Sequence, residues 1–212
     1  ILKRLRDGED VALISDAGTP LISDPGYRLV SEARQQGYSV IPIPGASAVI
    51  AALSVSGLPT DKFKFMGFLP AKSTQRKTSL SAVKGNTETM VYYEAPHRIT
   101  DTIADMLDIF GADRPAFMAR EISKTFETYL QGSLAELLDL VRADSNQQRG
   151  EMVLVIGGAA TETETVSVDA EKILGLLLKE LPLTKAASLT AKITGGDKKQ
   201  LYQLGLAIQD KN

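Results

Sequence analysis

The sequence predicts an α/β protein: two α/β domains followed by a small C-terminal helical segment. Three observations carry this. Short, wholly apolar runs such as residues 11–14 and 152–156 suit strands buried on both faces. They alternate with stretches whose apolar residues recur every three to four positions, the spacing of an amphipathic helix. Beyond residue 168 the strand-like runs stop and only helical patterning continues. With 212 residues, 43% of them hydrophobic, the chain holds enough apolar material for a substantial core.

In chain order, residues 1–6 read as the last turns of a helix already under way, so further sequence is expected before Ile1. The acidic turn Asp7-Gly8-Glu9-Asp10 leads into an expected strand over 11–14, then a loop over 15–26. A helix over 27–36 carries Leu29, Val30 and Ala33 on one face and is stopped by Gly37. A second strand is expected over 38–43, completing a right-handed βαβ unit with its crevice at the strands' carboxyl ends. Pro44-Gly45-Ala46-Ser47 then opens a helix over 48–55. The boundary to the second domain is expected near Pro59, giving domains of 1–58 and 59–158.

The second domain alternates in the same way. Its expected elements are a strand over 63–69, helix 74–83, strand 89–93, helix 99–110 before Gly111, strands 116–122 and 126–130, helix 134–143 and strand 151–156. Residues 159–168, rich in Thr and Glu, read as a linker. Three helices are expected over 169–212. Asp169 is placed as cap of the first, which runs through Leu181; Thr184 caps the second, over 185–193; and Gly195-Gly196-Asp197 separates the third, through Ile208.

Composition narrows the chemistry. No apolar run is long enough to span a bilayer and no basic-then-apolar leader opens the chain, so a cytoplasmic protein is expected. With no cysteine and a single histidine, His97, neither a thiolate nor a polyhistidine metal centre is available, and no metal is expected. The net charge of −2 leaves any nucleic-acid binding to local clusters of Lys and Arg. Neither a phosphate-binding Gly-x-x-x-x-Gly-Lys loop nor a Gly-x-Gly-x-x-Gly fingerprint occurs.

Four segments stand out. Ser15-Asp16-Ala17-Gly18-Thr19-Pro20-Leu21-Ile22-Ser23-Asp24-Pro25-Gly26 puts two Asp, two Pro and two Gly in one strand-to-helix loop. There a carboxylate can accept from hydroxyls or an amine and Gly admits close backbone approach, although Asp16 and Asp24 could equally close turns. Ile43-Pro44-Gly45-Ala46-Ser47-Ala48 sets Ser47 at a helix N-terminus, with small side chains leaving room for a planar ring; a plain N-cap reads as well. Val91-Tyr92-Tyr93-Glu94-Ala95-Pro96-His97-Arg98 ends a strand in a carboxylate and two groups able to meet phosphate, or else pairs Glu94 with Arg98 structurally. Ala119-Arg120-Glu121-Ile122-Ser123-Lys124-Thr125-Phe126-Glu127 is either functional or a hairpin salt-bridge ladder. A basic cluster, Lys72, Arg76 and Lys77, follows Phe68-Leu69-Pro70.

Taken in order with Gly67-Phe68-Leu69-Pro70-Ala71-Lys72 and Gly150-Glu151-Met152-Val153-Leu154-Val155, these segments resemble the tetrapyrrole methylase superfamily, in its ribosomal RNA small subunit methyltransferase I group. The resemblance covers almost the whole chain, and its strength is the order of the motifs. It implies two α/β domains with a cofactor cleft between them, S-adenosylmethionine as cofactor, commonly a homodimer, and methylation of the ribose 2′-hydroxyl of a cytidine in small-subunit ribosomal RNA.

Carried over by motif, Asp16, Ala17, Gly18, Thr19, Pro20, Ala46, Ser47 and Ala48 line the cofactor from the first domain, and Leu69, Tyr93 and Met152 from the second. A protonated ribose hydroxyl is a poor nucleophile, so a carboxylate or a lysine of lowered pKa beside it would help. Glu94 and Lys124 are the candidates, with Glu121 behind them. Lys72, Arg76, Lys77, Arg98 and Arg120 are the candidate RNA contacts. Family members open with a strand and a Pro-x-Gly-Asn-type loop that has no counterpart here, from which little activity of this chain alone is expected. Two other readings stay open: a methyltransferase acting on a tetrapyrrole-like small molecule, and a non-catalytic RNA-binding or assembly module.

Overall fold

Five strands build the sheet of the larger unit in the computed structural model, which describes residues 1–160 and 168–209: Phe63–Phe68 (β1), Thr89–Glu94 (β2), Pro115–Arg120 (β3), Thr128–Ser133 (β4) and Met152–Ile156 (β5). Their spatial order is β1-β2-β5-β3-β4; β1 and β2 run parallel and the other pairs antiparallel. The most apolar strands, β2 and β5, occupy the middle, where both faces are covered and both edges paired.

Helices cover the two faces unequally. Ser73–Ser81 (α4), Ile99–Phe110 (α5) and Leu134–Ala143 (α6) lie on one side, where Leu80, Ile103, Met106, Leu137 and Val141 pack on Met90, Tyr92, Met118, Leu154 and Ile156. Ala48–Val55 (α3) lies on the other, its Val49, Ala52 and Leu53 against Val91, Phe117, Val153 and Val155. The alternation of strand side chains sorts these two sets. Local chemistry fixes the ends: Ser133 and Glu136 form a reciprocal capping box at the start of α6, and Gly111 stops α5.

The N-terminal part of this unit holds Leu2–Arg6 (α1) and Tyr27–Gln35 (α2). Here the structure departs from the expected βαβ unit, because residues 11–14 and 38–43 are not strands. Among the described residues no backbone–backbone hydrogen bond joins these two segments to each other or to the sheet. An apolar run becomes a strand only when a neighbouring backbone takes up its N–H and C=O groups. Ile14 and Ile43 are accordingly 86% and 84% exposed.

Two smaller corrections concern element ends. The β3–β4 connection begins at Glu121 rather than after residue 122, because Glu121 and Ser123 take left-handed backbone angles that no ladder accommodates. In the second compact unit, Ala160–Asn212, the helices are Val168–Glu180 (α7), Leu183–Thr194 (α8) and Lys198–Gln209 (α9). Thr184 lies inside α8 rather than capping it. Pro182, already at a helical φ of −58° and with no N–H to satisfy, precedes the helix, and its carbonyl accepts from Lys185 and Ala186. Ala170, Leu174, Ala186, Ala187 and Leu201 form this unit's core. Residues 161–167 of the expected linker, and the cap expected of Asp169, lie outside the described residues.

After β5 the chain passes so close to the start of β2 that a Cβ at Gly158 would sit 1.9 Å from the Thr87 carbonyl oxygen, with the Ala159 N–H bonded to the Asn86 carbonyl at 2.7 Å. Neither backbone can yield without losing that bond. Gly158→Ala is therefore expected to cost about 1–3 kcal/mol of stability, read as a lower urea midpoint at unchanged slope.

Candidate active site

Strand register brings Glu94, Met152, Arg120 and Thr128 into one row across β2, β5, β3 and β4. Glu94, the last residue of β2, is buried, and its carboxylate gathers its neighbours. Oε1 accepts from the Ala95 N–H at 2.7 Å and from Arg98 Nε at 2.8 Å, and also meets Arg98 Nη2; Oε2 accepts from Thr102 Oγ1 at 2.6 Å. The spacing 94, 98, 102 lets a strand end, a turn and the first turn of α5 close on one group. Arg120 is buried too, donating from Nε to Thr128 Oγ1 at 2.8 Å and from Nη1 to the Arg149 carbonyl at 3.4 Å.

Beyond Arg120 the loop doubles back. Glu121 Oε1 accepts from Lys124 Nζ at 2.9 Å and from the Glu151 N–H at 2.8 Å, and Lys124 reaches Glu151 Oε2 at 3.1 Å. The Glu151 N–H, then Lys124, hold the Glu121 carboxyl below its usual range, while Glu121 and Glu151 raise the Lys124 ammonium. This corrects the expectation of a lysine with lowered pKa: two carboxylates stabilise the charged form.

Tyr93 turns to the opposite face. Its ring meets Phe65 edge-on at 5.0 Å and Phe68 at 5.6 Å, and burial raises its hydroxyl, partly offset by the backbone N–H of Val49 at the start of α3. Asp24 and Glu151 add to the rise. Leu21 and Ser23 have φ of 73° and 61°; with Glu121 and Ser123 they are the non-glycine residues of positive φ among the described residues. Such strain concentrates where the backbone must present groups rather than pack them.

Within the 15–26 loop the Ser15 hydroxyl bonds the Asp24 carboxylate, and Thr19 Oγ1 donates to the Ala46 carbonyl at 2.9 Å, holding the two small-residue loops together. Gly18, at φ 73°, faces the same loop: a Cβ there would lie 3.4 Å from the Ala46 carbonyl oxygen. Asp16, Ala17 and Ala46 are exposed, and Ala48 is half-buried. Ser47 precedes α3 without capping it, and Asp16 has no hydrogen-bond or ion-pair partner among the described residues. Ser23 approaches β1 at Gly67, where a bulge shifts the β1–β2 register.

Other expected site residues sit differently. Leu69 and Met152 are buried in the main core. Arg76 is buried against Asp105, with Nε and Nη2 both 2.7 Å from Oδ2, and Lys77 pairs with Asp108 at 2.8 Å and Asp105 at 3.6 Å. The phosphate contacts expected of Arg76 and Arg120 are thus corrected, since both guanidinium groups are buried and engaged inside the fold, while Arg98 is half-buried and paired with Glu94. Lys72 is exposed and has no carboxylate within 4.0 Å among the described residues. Thr102, Thr128 and Glu151 escaped sequence reasoning; only the four-residue spacing of Glu94, Arg98 and Thr102 hinted at the first. Among the described residues, no three of His, Cys, Asp or Glu stand together as a metal-binding group.

Residues 1–138 match the Tetrapyrrole (Corrin/Porphyrin) Methylases. The chain belongs to this family. Residues 164–209 match the RsmI C-terminal HTH domain. The chain is 55% identical to the ribosomal RNA small subunit methyltransferase I of Pseudomonas aeruginosa over 100% of its own length and 76% of the relative's. It is 50% identical to the protein of that name from Vibrio cholerae, over 97% of the chain and 72% of the relative. Among solved structures, the methyltransferase CobJ (TM-score 0.55, 18% identity, 75% of this chain and 69% of that one) has a similar fold. So does a cobalt precorrin-4 methyltransferase of cobalamin biosynthesis (TM-score 0.51, 17% identity, 74% and 67%).

Removing the Glu94 carboxylate strands Arg98 and Thr102 around a buried site, so Glu94→Ala is expected to cost roughly 3–5 kcal/mol in urea unfolding. Thr102→Val should cost about 1 kcal/mol. Glu121, depressed in the folded state, contributes stability that is present above roughly pH 4 and lost as pH falls through its folded value. Melting temperatures between pH 3 and pH 6 should therefore fall less steeply for Glu121→Gln than for the unaltered chain.

Proposed function

We propose that this chain binds S-adenosylmethionine against the loop over 15–26, the start of α3 and the ends of β1 and β2, and methylates small-subunit ribosomal RNA, with the ribose 2′-hydroxyl of a cytidine as acceptor. The observation that carries this reading is the 55% identity, along the full chain, to a protein named ribosomal RNA small subunit methyltransferase I. The groups at the site suit the cofactor. The free Asp16 carboxylate can accept from an ammonium or from ribose hydroxyls, Ala17, Ala46 and Ala48 leave a flat surface for a ring, and the Tyr93–Phe68 pair supplies an aromatic wall. When bound, the cofactor supplies a methyl group on a sulfonium.

The chain's own residues contribute position above all. Glu94 is saturated by its donors, Lys124 is held protonated and Glu121 is a weakened base, so none is built as a strong proton acceptor. In our reading they shape the edge on which the ribose rests, and the rate comes from holding acceptor oxygen and methyl carbon in line. No helix among the described residues is long and apolar enough to cross a membrane. A cytoplasmic homodimer completes the proposal.

Calorimetric titration with S-adenosylmethionine should give a single site, weakened at least tenfold in Asp16→Ala. Incubation with small-subunit RNA and methyl-labelled cofactor should leave label in RNA and one gap in the alkaline-hydrolysis ladder, because a 2′-O-methyl group blocks cleavage at its own nucleotide. Cofactor binding with no label in RNA would overturn the acceptor; label without a gap would move the methyl group from ribose to base.

A further inference from the structure

In the larger unit four of the five cations suggested for RNA are engaged: Arg76, Lys77 and Arg98 are paired with carboxylates and Arg120 is tied to Thr128 and a carbonyl, while Lys72 is exposed with no carboxylate within 4.0 Å among the described residues. The helical unit is different. Residues 168–209 carry six lysines against four acidic residues, whereas residues 1–160 carry seventeen basic against nineteen acidic. Around the α8–α9 turn lie Lys192, Lys198 and Lys199, all exposed, with no carboxylate within 4.0 Å among the described residues.

The acid within that turn, Asp197, is used locally: its Oδ1 accepts the N–H groups of Lys199 and Gln200, both at 2.9 Å. The turn itself is set by hydrogen bonds. The Gly195 N–H meets the Ala191 carbonyl at 2.9 Å and the Gly196 N–H meets Thr194 Oγ1 at 3.3 Å. One helical turn on from Lys199, Gln203 is exposed on the same face.

We propose that Lys192, Lys198, Lys199 and Gln203 form a docking surface for the sugar–phosphate backbone of folded, helical RNA, so that the helical unit holds the substrate and the larger unit modifies it. This rests on the RNA reading above. Residues 164–209 match a helix-turn-helix domain, and in such motifs the second helix approaches nucleic acid by its N-terminal residues, which in the α8–α9 pair are Lys198 and Lys199 of α9. The major groove of A-form RNA is too deep and narrow for side chains to read, so these groups meet phosphates and 2′-hydroxyls, recognising shape rather than sequence.

The test uses the full chain and a fluorescent RNA hairpin, titrated by anisotropy from 50 to 300 mM KCl, beside duplex DNA of matching sequence. In the triple variant Lys192→Gln, Lys198→Gln, Lys199→Gln, hairpin affinity should fall at least tenfold, and the slope of log affinity against log salt should flatten by about two to three. Its heat of S-adenosylmethionine binding and its helical circular dichroism should stay unchanged. A control triple at Lys172, Lys179 and Lys185, removing equal charge from the same unit, should change affinity less than threefold. Equal losses in both triples, no loss in the first, or tighter binding of duplex DNA than of the hairpin would each overturn the docking surface alone. An unaltered chain that binds the cofactor but no RNA would overturn the RNA reading as well.

Discussion

A carboxylate with no exposed side-chain surface has to find its solvation in the protein, and at Glu94 it does so by drawing three segments together: the end of β2, the turn over 95–98 and the first turns of α5. That closure decides where β2 stops and how α5 lies across the sheet. Because β2 is flanked by β1 and β5, it also aligns the row that runs through Met152 to Arg120. Tyr93, one residue earlier, is thereby turned to the other face, into contact with Phe65, Phe68 and the start of α3. A buried carboxylate anchor and an aromatic cluster thus share one strand end, on opposite faces.

The same edge shows how the larger unit manages charge. Its buried cations are engaged, Arg76 by Asp105 and Arg120 by Thr128 and a carbonyl, and its two most contorted loops are those of Leu21 and Ser23 and of Glu121 and Ser123. Strain of this kind persists only where surrounding bonds over-determine it. The Ser15–Asp24 and Thr19–Ala46 bonds do this for one loop, and the Glu121–Lys124–Glu151 set for the other. With Arg76, Arg98 and Arg120 thus committed, three of the cations expected to meet RNA are engaged within the larger unit. The unpaired lysines of the α8–α9 turn therefore carry more weight than the overall charge of −2 suggests.

Much of this was legible in the chain. Helices α3, α5 and α6 begin and end where periodicity and Gly111 put them, and β5 is the continuous apolar run it reads as, because these features depend on a few neighbouring residues. The order of the small-residue loops and of the Glu94 and Arg120 motifs carried the family. What could not be read were partnerships between distant residues. Arg76 reads as a candidate RNA contact until Asp105, on another helix, buries it; Lys124 reads as a possible base until Glu151, just before β5, joins Glu121 in holding its proton. The apolar runs at 11–14 and 38–43 read as strands, but a strand is made by its neighbour's backbone, and no ladder forms there. Sequence by itself determined the helices, the central strands and the family, since each is set by local spacing and composition. Tertiary structure alone decided which charges are free and which are spent, because pairing depends on distance across the fold, which spacing along the chain does not encode.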